Sequence, residues 1–369
     1  MTVVRSGSGH WRLDWPTSAG TRIAKATLKS CPEDFMVDEV PGLDGFPESP
    51  GLDDHAGEGE HLCLRLQKSG DNTEYVAREL AALSGCRHFD VGFCGLKDRH
   101  AVTRQWFSIY RPGQETEDKA FIDRVGERWP VLSACRYRRK LRRGEHQGNR
   151  FVITLRHIAG AQADLEAALV ALRERGAPNY FGPQRFGIAG ANLDRAVEMG
   201  PDAMDRKRHG GGRGGRGGKR GGGRSSNKNA IYFSAARSWI FNEVLARRVE
   251  SDCWTEPLEG EPGLPENTRM PTGPLWGDGG TSATGPQELL EREVAAQAPE
   301  LLQLFSTTRM QPERRALVLR PEQLVWSWPG EDCLRLEFFL PPGQYATTVL
   351  SDIFELEDLS LGQYNNQQG

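Results

Sequence analysis

Asp98 is flanked by three potential cations, at the point where two apolar segments of the chain meet. These cations are Lys97, Arg99 and His100. The glycine-containing segment 91–95 predicts a buried strand that ends in a tight turn, and the aromatic segment 106–110 predicts a second strand. Opposite charges would keep Asp98 ionised, as a nucleophile or general base requires. A surface hairpin with solvated charges is the alternative, because structural ion pairs also perturb pKa values.

The elements that lead into this loop follow from periodicity and capping signals. Residues 60–66 alternate between polar and apolar side chains, which predicts a half-buried strand. Residues 71–74 are typical of a helix cap, and an apolar stripe follows them until Gly85 ends the predicted helix. A strand–helix–strand passage therefore delivers the chain to Asp98.

Alternation predicts three further strands, near 35–37, at 151–155 and at 334–340. From the residues alone, Phe35 and Phe151 are core positions, and Asn149 is a turn residue. Thr347 or Thr348 predicts the start of a short helix after the last of these strands.

A change of element is predicted at 176–187, where two prolines and three glycines occur in twelve residues. An amphipathic helix covering 165–172 ends before it, at Gly176. Beyond this junction we predict a capped helix over 234–245, a helix from about 287 to 304, and a strand over 314–319, with a second domain boundary close by.

Composition limits the class of protein. A chain of 369 residues, 37% hydrophobic, is long enough for two domains and a sizeable core. No apolar stretch approaches the length of a membrane span, and the N-terminus lacks a signal-peptide pattern. The seven cysteines form no Cys-x-x-Cys pair, so neither a zinc site nor a disulfide framework is suggested. We therefore expect a cytoplasmic protein with no metal.

Charge is distributed unevenly around a net charge of −3. Residues 136–150 hold seven Arg or Lys against one acid, and residues 206–228 hold nine with no acid. The compensating acids lie mainly at 38–60 and 352–358. This asymmetry is typical of a phosphate-binding face on an otherwise acidic protein. Ordinary solvated patches are the alternative.

The Gly/Arg segment, residues 209–224, contains ten glycines with Arg and Lys between them. Such a segment cannot bury enough apolar area to offset its ordering entropy, so we expect a disordered loop. It is either an inert insertion or a flexible arm that contacts phosphates, and the sequence leaves both open.

The run Gly95-Leu-Lys-Asp-Arg-His-Ala-Val-Thr-Arg-Gln-Trp106 resembles the signature of the tRNA pseudouridine synthase D (TruD) family. In that family the aspartate of the Gly-x-Lys-Asp-[Lys/Arg]-His motif is the catalytic nucleophile, and the matching residue is Asp98. Lys29 and Phe35 are similar to a lysine and a base-stacking phenylalanine that the family places beside this aspartate.

Other matches keep the family's order along the chain. Asn149 resembles an asparagine that contacts the target nucleotide. Phe151 occupies the place where most other pseudouridine synthases carry an active-site tyrosine. Tyr345 stands where the family has a phenylalanine that stacks on the target base. The stretch 176–187 resembles the start of the family's inserted domain, whereas the Gly/Arg segment departs from the family pattern.

The resemblance implies an α+β fold. A pseudouridine-synthase-like catalytic domain with a mixed or antiparallel sheet would comprise 1–175 and 320–369. A second α+β domain would be inserted at 176–319.

The implied activity is that of a tRNA pseudouridine(13) synthase, an isomerase that acts on a flipped-out uridine without a cofactor. The expected partner is tRNA, with no membrane and no protein partner, and we expect a monomer. The implied roles are nucleophile for Asp98, its ion-pair partner for Lys29, stacking faces for Phe35 and Tyr345, an edge or ribose contact for Asn149, and closure of the pocket for Phe151.

Two other classes remain. One is a catalytically silent RNA-binding protein, against which the intact Lys29, Asp98 and Asn149 count. The other is a different aspartate-dependent enzyme, for instance a hydrolase that uses Asp98 with His100. The absence of a serine elbow or of paired metal ligands in the sequence counts against it.

Overall fold

The computed structural model describes residues 11–44, 46, 57–200, 222–267, 269–306 and 310–362. The chain divides into two compact units. We call them the sheet unit (Ile23–Arg173, Pro321–Ala346 and Phe354–Gly369) and the helix unit (Met1–Arg22, Glu174–Arg320 and Thr347–Ile353).

The helices are α1 (Thr73–Ser84), α2 (Asp118–Gly126), α3 (Gln162–Arg175), α4 (Ala191–Met199), α5 (Gly222–Glu250), α6 (Gly285–Ala295), α7 (Pro299–Gln303), α8 (Ala346–Ser351) and α9 (Leu359–Gly362). The strands are β1 (Ala24–Leu28), β2 (Phe35–Val40), β3 (His61–Lys68), β4 (Gly92–Phe93), β5 (Val102–Tyr110), β6 (Val131–Tyr137), β7 (Gly148–Ala159), β8 (Ala177–Pro178), β9 (Thr272–Leu275), β10 (Glu313–Ala316), β11 (Val318–Leu319), β12 (Glu322–Gly330), β13 (Cys333–Leu340) and β14 (Phe354–Asp358).

The sheet unit is built on one large mixed sheet. Its main path runs β12-β13-β7-β2-β5-β3-β6, with β4 on β5 and with β1 joining β7 to β14. The pairs β1–β14 and β2–β5 are parallel, and the other strand pairs of this sheet are antiparallel. Helices and a mixed sheet together confirm the α+β class that the sequence predicts.

Strand β7 pairs with β13 and β2, and its alternate residues point to opposite faces of the sheet. Phe151 pairs with Val37 of β2 and with Phe338 of β13, so one face carries a continuous apolar layer. The predicted alternation at 151–155 is therefore observed, within a longer strand.

Helix α1 is fixed at both ends. The Asn72 side chain accepts a hydrogen bond from the backbone N–H of Tyr75 at 2.8 Å, so Asn72 is the cap within the predicted stretch 71–74. Gly85 ends the helix at φ 73°, as predicted, because glycine adopts left-handed backbone without a Cβ penalty. The buried stripe packs on β3 and β5 in one core, which includes Val76, Leu80, Leu64 and Phe107.

The helix unit is organised around α5, whose Phe241 and Leu245 are fully buried. The predicted start of this helix at Ser234 is wrong, because the helix begins at Gly222. The helix predicted over 287–304 is two helices, α6 and α7, and Pro299 opens the second because proline cannot donate an interior hydrogen bond.

Two other sequence predictions also differ from the structure. The strand predicted over 314–319 is divided into β10 and β11, which pair with β9 and β8 respectively. The strand predicted at 91–95 is reduced to the two residues of β4, because only Gly92 and Phe93 pair with β5.

The chain passes between the units at 173–174 and 320–321, beside the boundaries expected at 175–176 and 319–320. The segments Met1–Arg22 and Thr347–Ile353, which the sequence assigned to the catalytic domain, fall in the helix unit. Apart from 222–224, which begin α5, the Gly/Arg segment lies outside the described residues. No helix among the described residues is long and apolar enough to cross a membrane.

Candidate active site

The site is centred on an ion pair between Lys29 and Asp98. Lys29 directly follows β1, and its Nζ lies 2.6 Å from Oδ2 of Asp98. The lysine side chain is 8% exposed and the aspartate side chain 38%, so the carboxylate is the accessible member of the pair. Lys29 has a φ of 58°, a left-handed conformation that is uncommon and strained for a residue with a Cβ.

The environment keeps Asp98 ionised. Partial burial raises the pKa of Asp98, but the hydrogen bond from Lys29, the backbone N–H of His100 and the charge of Lys29 outweigh it. The pKa of Asp98 therefore lies below its ordinary value. The His100 N–H donates to Oδ1 at 3.0 Å, so each carboxylate oxygen accepts one hydrogen bond. An ionised, partly exposed carboxylate is suited to nucleophilic attack.

The loop that carries Asp98 is held in place by contacts of Lys97 and Gly95. Lys97 directs its ammonium to Oε2 of Glu39 at 2.5 Å, and its backbone N–H donates to Oγ1 of Thr73 at 3.0 Å. The Gln105 amide donates to the carbonyl of Gly95 at 2.5 Å. Because these contacts join the loop to β2, α1 and β5, the position of Asp98 is set by three separate elements.

The neighbouring cations make different contacts, and the charge and backbone N–H of His100 contribute to the low pKa of Asp98. Lys97, the residue next to Asp98, pairs with the buried carboxylate of Glu39. Arg99 donates from Nε to Nε2 of His100 at 3.0 Å. Lys29, which lies 69 residues earlier in the chain, donates a hydrogen bond to Asp98.

A row of aromatic rings extends from the ion pair into the sheet. The Lys29 Nζ lies 4.9 Å from the centroid of the Phe35 ring. The Phe35 and Phe151 rings meet edge-on at 6.1 Å, and the Phe151 and Phe338 rings stack at 5.5 Å. Phe35 and Phe151 are each 7% exposed, as the residues alone predict for core positions. Phe338 joins the row because its register places it opposite Phe151.

Asn149 presents an unsatisfied polar atom. Its Nδ2 lies 3.4 Å from Nε2 of His146, whereas its buried Oδ1 has no hydrogen-bond partner among the described residues. Burial lowers the pKa of His146, so this imidazole is neutral at pH 7. A buried oxygen without a partner is costly, and a ligand N–H would satisfy it.

Gly148 allows β7 to approach β13 directly before Asn149. A Cβ at this position would overlap the Phe339 ring and the carbonyl oxygen of Leu340. Leu340 is the register partner of Asn149, so the close approach of the two strands fixes the backbone position of Asn149.

Tyr345 lies five residues after the end of β13, in a turn whose Gly343 has a φ of 82°. Its side chain is exposed, at 52%. An exposed ring at the end of a fixed strand can stack on a flat partner without displacing core residues. Its hydroxyl adds a polar group at the same position.

The basic run at 136–150 lies beside the Asp98 loop. The Gly144 N–H donates to the carbonyl of Cys94 at 2.8 Å, which places the two segments side by side. Arg142 and Arg143 are exposed there, and Arg143 also pairs with Glu74 at 3.0 Å. Exposed cationic groups beside the Asp98 loop are suited to hold phosphates of a bound nucleic acid.

Sequence reasoning missed Asp358 as a member of this site. Its Oδ2 lies 3.4 Å from the Lys29 Nζ, and its side chain is 18% exposed. The sequence showed it only as one acid of an acidic stretch, because its contact depends on the pairing of β14 with β1. In the described part of the chain, no group of three or more His, Cys, Asp or Glu side chains could hold a metal ion.

Comparison with solved structures establishes the fold. The structure assigned to tRNA pseudouridine synthase D (TruD) from Methanosarcina mazei aligns with a TM-score of 0.61 and 22% sequence identity, covering 91% of this chain and 95% of that one. The family model for tRNA pseudouridine synthase D matches residues 18–194 and 263–353, well over half of the chain.

Curated relatives of the chain carry the same family description as the matching family model. A tRNA pseudouridine synthase D from Marinobacter nauticus is 58% identical over 362 residues, covering 98% of this chain and 99% of the relative. Proteins with the same description from Xanthomonas campestris and Methylococcus capsulatus are each 37% identical, covering 93% of this chain and 95% of theirs. The chain belongs to the tRNA pseudouridine synthase D family, and it is an enzyme of the isomerase class.

Proposed function

We propose that this enzyme converts uridine 13 of tRNA to pseudouridine, with Asp98 as the nucleophile. The observation that carries the proposal is the Lys29–Asp98 pair, an ionised and accessible carboxylate held by an almost buried lysine. The names of the family relatives support tRNA as the substrate and pseudouridine as the product. Position 13 and the role of Asp98 come from the resemblance of the Gly95–Trp106 motif. A tRNA substrate also favours a cytoplasmic location.

The proposed reaction balances without an external reagent. An oxygen of Asp98 forms a bond to C1′ of the target nucleotide as the C1′–N1 bond breaks, and N1 leaves with the electron pair. The detached uracil turns, and C5 forms a bond to C1′ as the carboxylate leaves with the electrons of the ester bond. C5 then loses its proton and N1 gains one, so the product is an isomer of the substrate.

The base must leave the RNA stack before Asp98 can reach C1′. Tyr345 is proposed to stack on the flipped uracil, since its ring is exposed and base–aromatic stacking contributes about 1–3 kcal/mol. The unpartnered Oδ1 of Asn149 would accept a hydrogen bond from an N–H of the base. Phe35, whose ring lies near the Lys29 ammonium, is proposed as the second stacking face, and Phe151, edge-on to Phe35, is proposed to close the pocket and keep the detached uracil from escaping.

The test is pseudouridine formation in tRNA by the pure protein and by its Asp98→Asn variant. Asparagine keeps the shape and much of the hydrogen bonding but removes the charge and the nucleophilicity. We expect the variant to bind tRNA within a few-fold of the wild type and to form no pseudouridine. Asp90→Asn is the matched control, because Asp90 pairs with Arg87 at the surface shortly before the same loop.

Mapping the product by nucleotide position tests the site within tRNA. Modification at position 13 and its loss when uridine 13 is replaced by cytidine are the expected results. Turnover by Asp98→Asn would remove Asp98 as the nucleophile. Tight tRNA binding by the wild type without any pseudouridine would favour a catalytically silent RNA-binding protein.

A further inference from the structure

Lys29 is shared between two carboxylates. Its Nζ lies 2.6 Å from Asp98 and 3.4 Å from Asp358, and the lysine side chain is 8% exposed. An ammonium has three donor hydrogens, so it can hold both acceptors at once. The family model's match ends at residue 353, before Asp358.

Asp358 is held in place independently of Lys29. Its Oδ1 accepts the backbone N–H of Ser360 at 2.9 Å and the Ser360 hydroxyl at 2.5 Å, which caps the start of α9. Its backbone is opposite Leu28 in the parallel β1–β14 pair. Since Lys29 follows Leu28 directly, this pairing brings Oδ2 of Asp358 to the lysine.

The charge of Asp98 is transient in the proposed reaction. When its oxygen bonds to C1′ and N1 leaves with the electron pair, the negative charge passes from Asp98 to the detached uracil. The ester oxygen is a much weaker partner for an ammonium than a carboxylate is. At that stage the buried ammonium of Lys29 needs another anion to remain in place.

We propose that Asp358 is a positioning residue, which keeps the Lys29 ammonium fixed beside the reacting atoms while Asp98 is esterified. This inference rests on the proposed function. Asp358 acts through Lys29 and touches neither the base nor C1′. The fixed ammonium then faces the charge that develops on the uracil, and it is in place to receive the Asp98 carboxylate when the ester bond breaks.

The same two strands supply a matched control. Glu355 of β14 pairs with Lys25 of β1 at 3.2 Å, so it is an acid–lysine contact across the same strand pair. The Glu355 side chain is 63% exposed and the Lys25 side chain 70%, and the pair lies three register positions from Leu28 and Asp358. Glu355→Gln therefore reproduces the loss of an acid on β14 without affecting Lys29.

The experiment measures the single-turnover rate of pseudouridine formation at saturating tRNA, together with tRNA affinity and melting temperature. Asp358→Asn keeps the contacts of Oδ1 and removes the charge. We expect its rate to fall by about tenfold to a hundredfold, because a displacement of a catalytic group by about 1 Å can cost the larger factor. We expect its tRNA affinity to stay within a few-fold of the wild type, and Glu355→Gln to match the wild type in all three measurements.

Two further variants separate positioning from stability. In a Lys29→Met background, Asp358→Asn should cause no additional loss of rate, because its effect passes through the missing ammonium. Asp358→Glu restores the charge and should recover most of the rate lost in Asp358→Asn.

Several results would overturn the inference. They are a wild-type rate for Asp358→Asn, a loss that is equally large in the Lys29→Met background, or an Asp358→Glu variant as slow as Asp358→Asn. If any of these results is obtained while the wild type still forms pseudouridine, the proposed function stands and only the role of Asp358 is rejected. If the wild type forms none, the proposed function itself fails.

Discussion

Lys97 and Glu39 form an ion pair that is almost completely removed from solvent. The lysine side chain is 5% exposed and the glutamate side chain is fully buried, with Nζ and Oε2 at 2.5 Å. Glu39 also accepts the backbone N–H of Trp106 at 3.3 Å. The residue adjacent to the proposed nucleophile therefore serves as a structural anchor for the loop.

We predict that Lys97→Met destabilises the protein by about 3–5 kcal/mol, because it leaves the Glu39 carboxylate buried without a cation. The double variant Glu39→Leu/Lys97→Met should lose less, since neither charge then remains. Urea denaturation of both variants provides the comparison. Glu74→Gln, which breaks an exposed pair with Arg143, is the control and should have little effect. A double variant less stable than Lys97→Met would contradict the argument.

The second prediction concerns pH. Because the pKa of Asp98 is depressed, the single-turnover rate should be maintained below the ordinary aspartate pKa of about 3.9, as long as the protein stays folded. Lys29→Met removes the main hydrogen bond that lowers this pKa and leaves the burial that raises it. The acid limb of its rate profile should therefore move to higher pH. An unmoved limb would show that the limb does not report Asp98.

The same shift affects stability, and its sign is fixed by linkage. A carboxyl with a depressed folded-state pKa contributes stability that is present above its unfolded pKa and is lost as pH falls through the folded value. Asp98→Asn should therefore weaken the acid dependence of unfolding free energy below about pH 4. Denaturation curves of the wild type and of Asp98→Asn between neutral and acid pH test this, and identical acid dependence of the two would contradict it.

The third prediction separates the ring of Tyr345 from its hydroxyl. Tyr345→Phe should be nearly silent, whereas Tyr345→Ala should lose binding or rate equivalent to about 1–3 kcal/mol of stacking. Its exposure means that neither change should lower the melting temperature. If the phenylalanine variant is as impaired as the alanine variant, the hydroxyl has a chemical role.

The fourth prediction tests the close approach at Gly148. Gly148→Ala places a Cβ against the Leu340 carbonyl and the Phe339 ring, so β7 and β13 must separate. We expect a lower melting temperature because the packing is strained, and a lower rate because the backbone of the adjacent Asn149 is displaced. Gly126→Ala is the control, since that glycine has open space around it and no positive φ. An equal response of the two variants would mean that the contact at Gly148 is not decisive.

Much of the local structure could be predicted from the sequence. The alternation of apolar and polar residues located β3, β7 and β13, because burial on one face of a strand selects apolar side chains at every second position. Gly85 marked the end of α1, because a left-handed backbone conformation favours glycine. The start of α5 was missed because Ser234, a good capping residue, lies inside a helix that begins earlier. Local capping preference was overridden there.

The partners of the charged residues could not be predicted in the same way. The pairing of Lys29 with Asp98 followed from family resemblance, whereas the residues alone gave three potential cations beside Asp98, of which Lys97 pairs with Glu39 instead. Glu39 and Asp358 carry no distinguishing signal in sequence. Their roles depend on which strands become neighbours, and that is decided by the packing of the whole sheet.

The position of β14 has a consequence for how the enzyme matures. This strand pairs with β1 alone among the described strands, and the pairing joins residues about 330 positions apart, such as Lys25 and Glu355. Contacts of such long range form slowly, because the intervening chain must first be brought together. With the role inferred for Asp358, the protein would acquire its full catalytic rate only in this late step. A folding intermediate that has the rest of the sheet but lacks β14 would be compact and yet slow in catalysis, so the full rate would lag behind the appearance of native secondary structure.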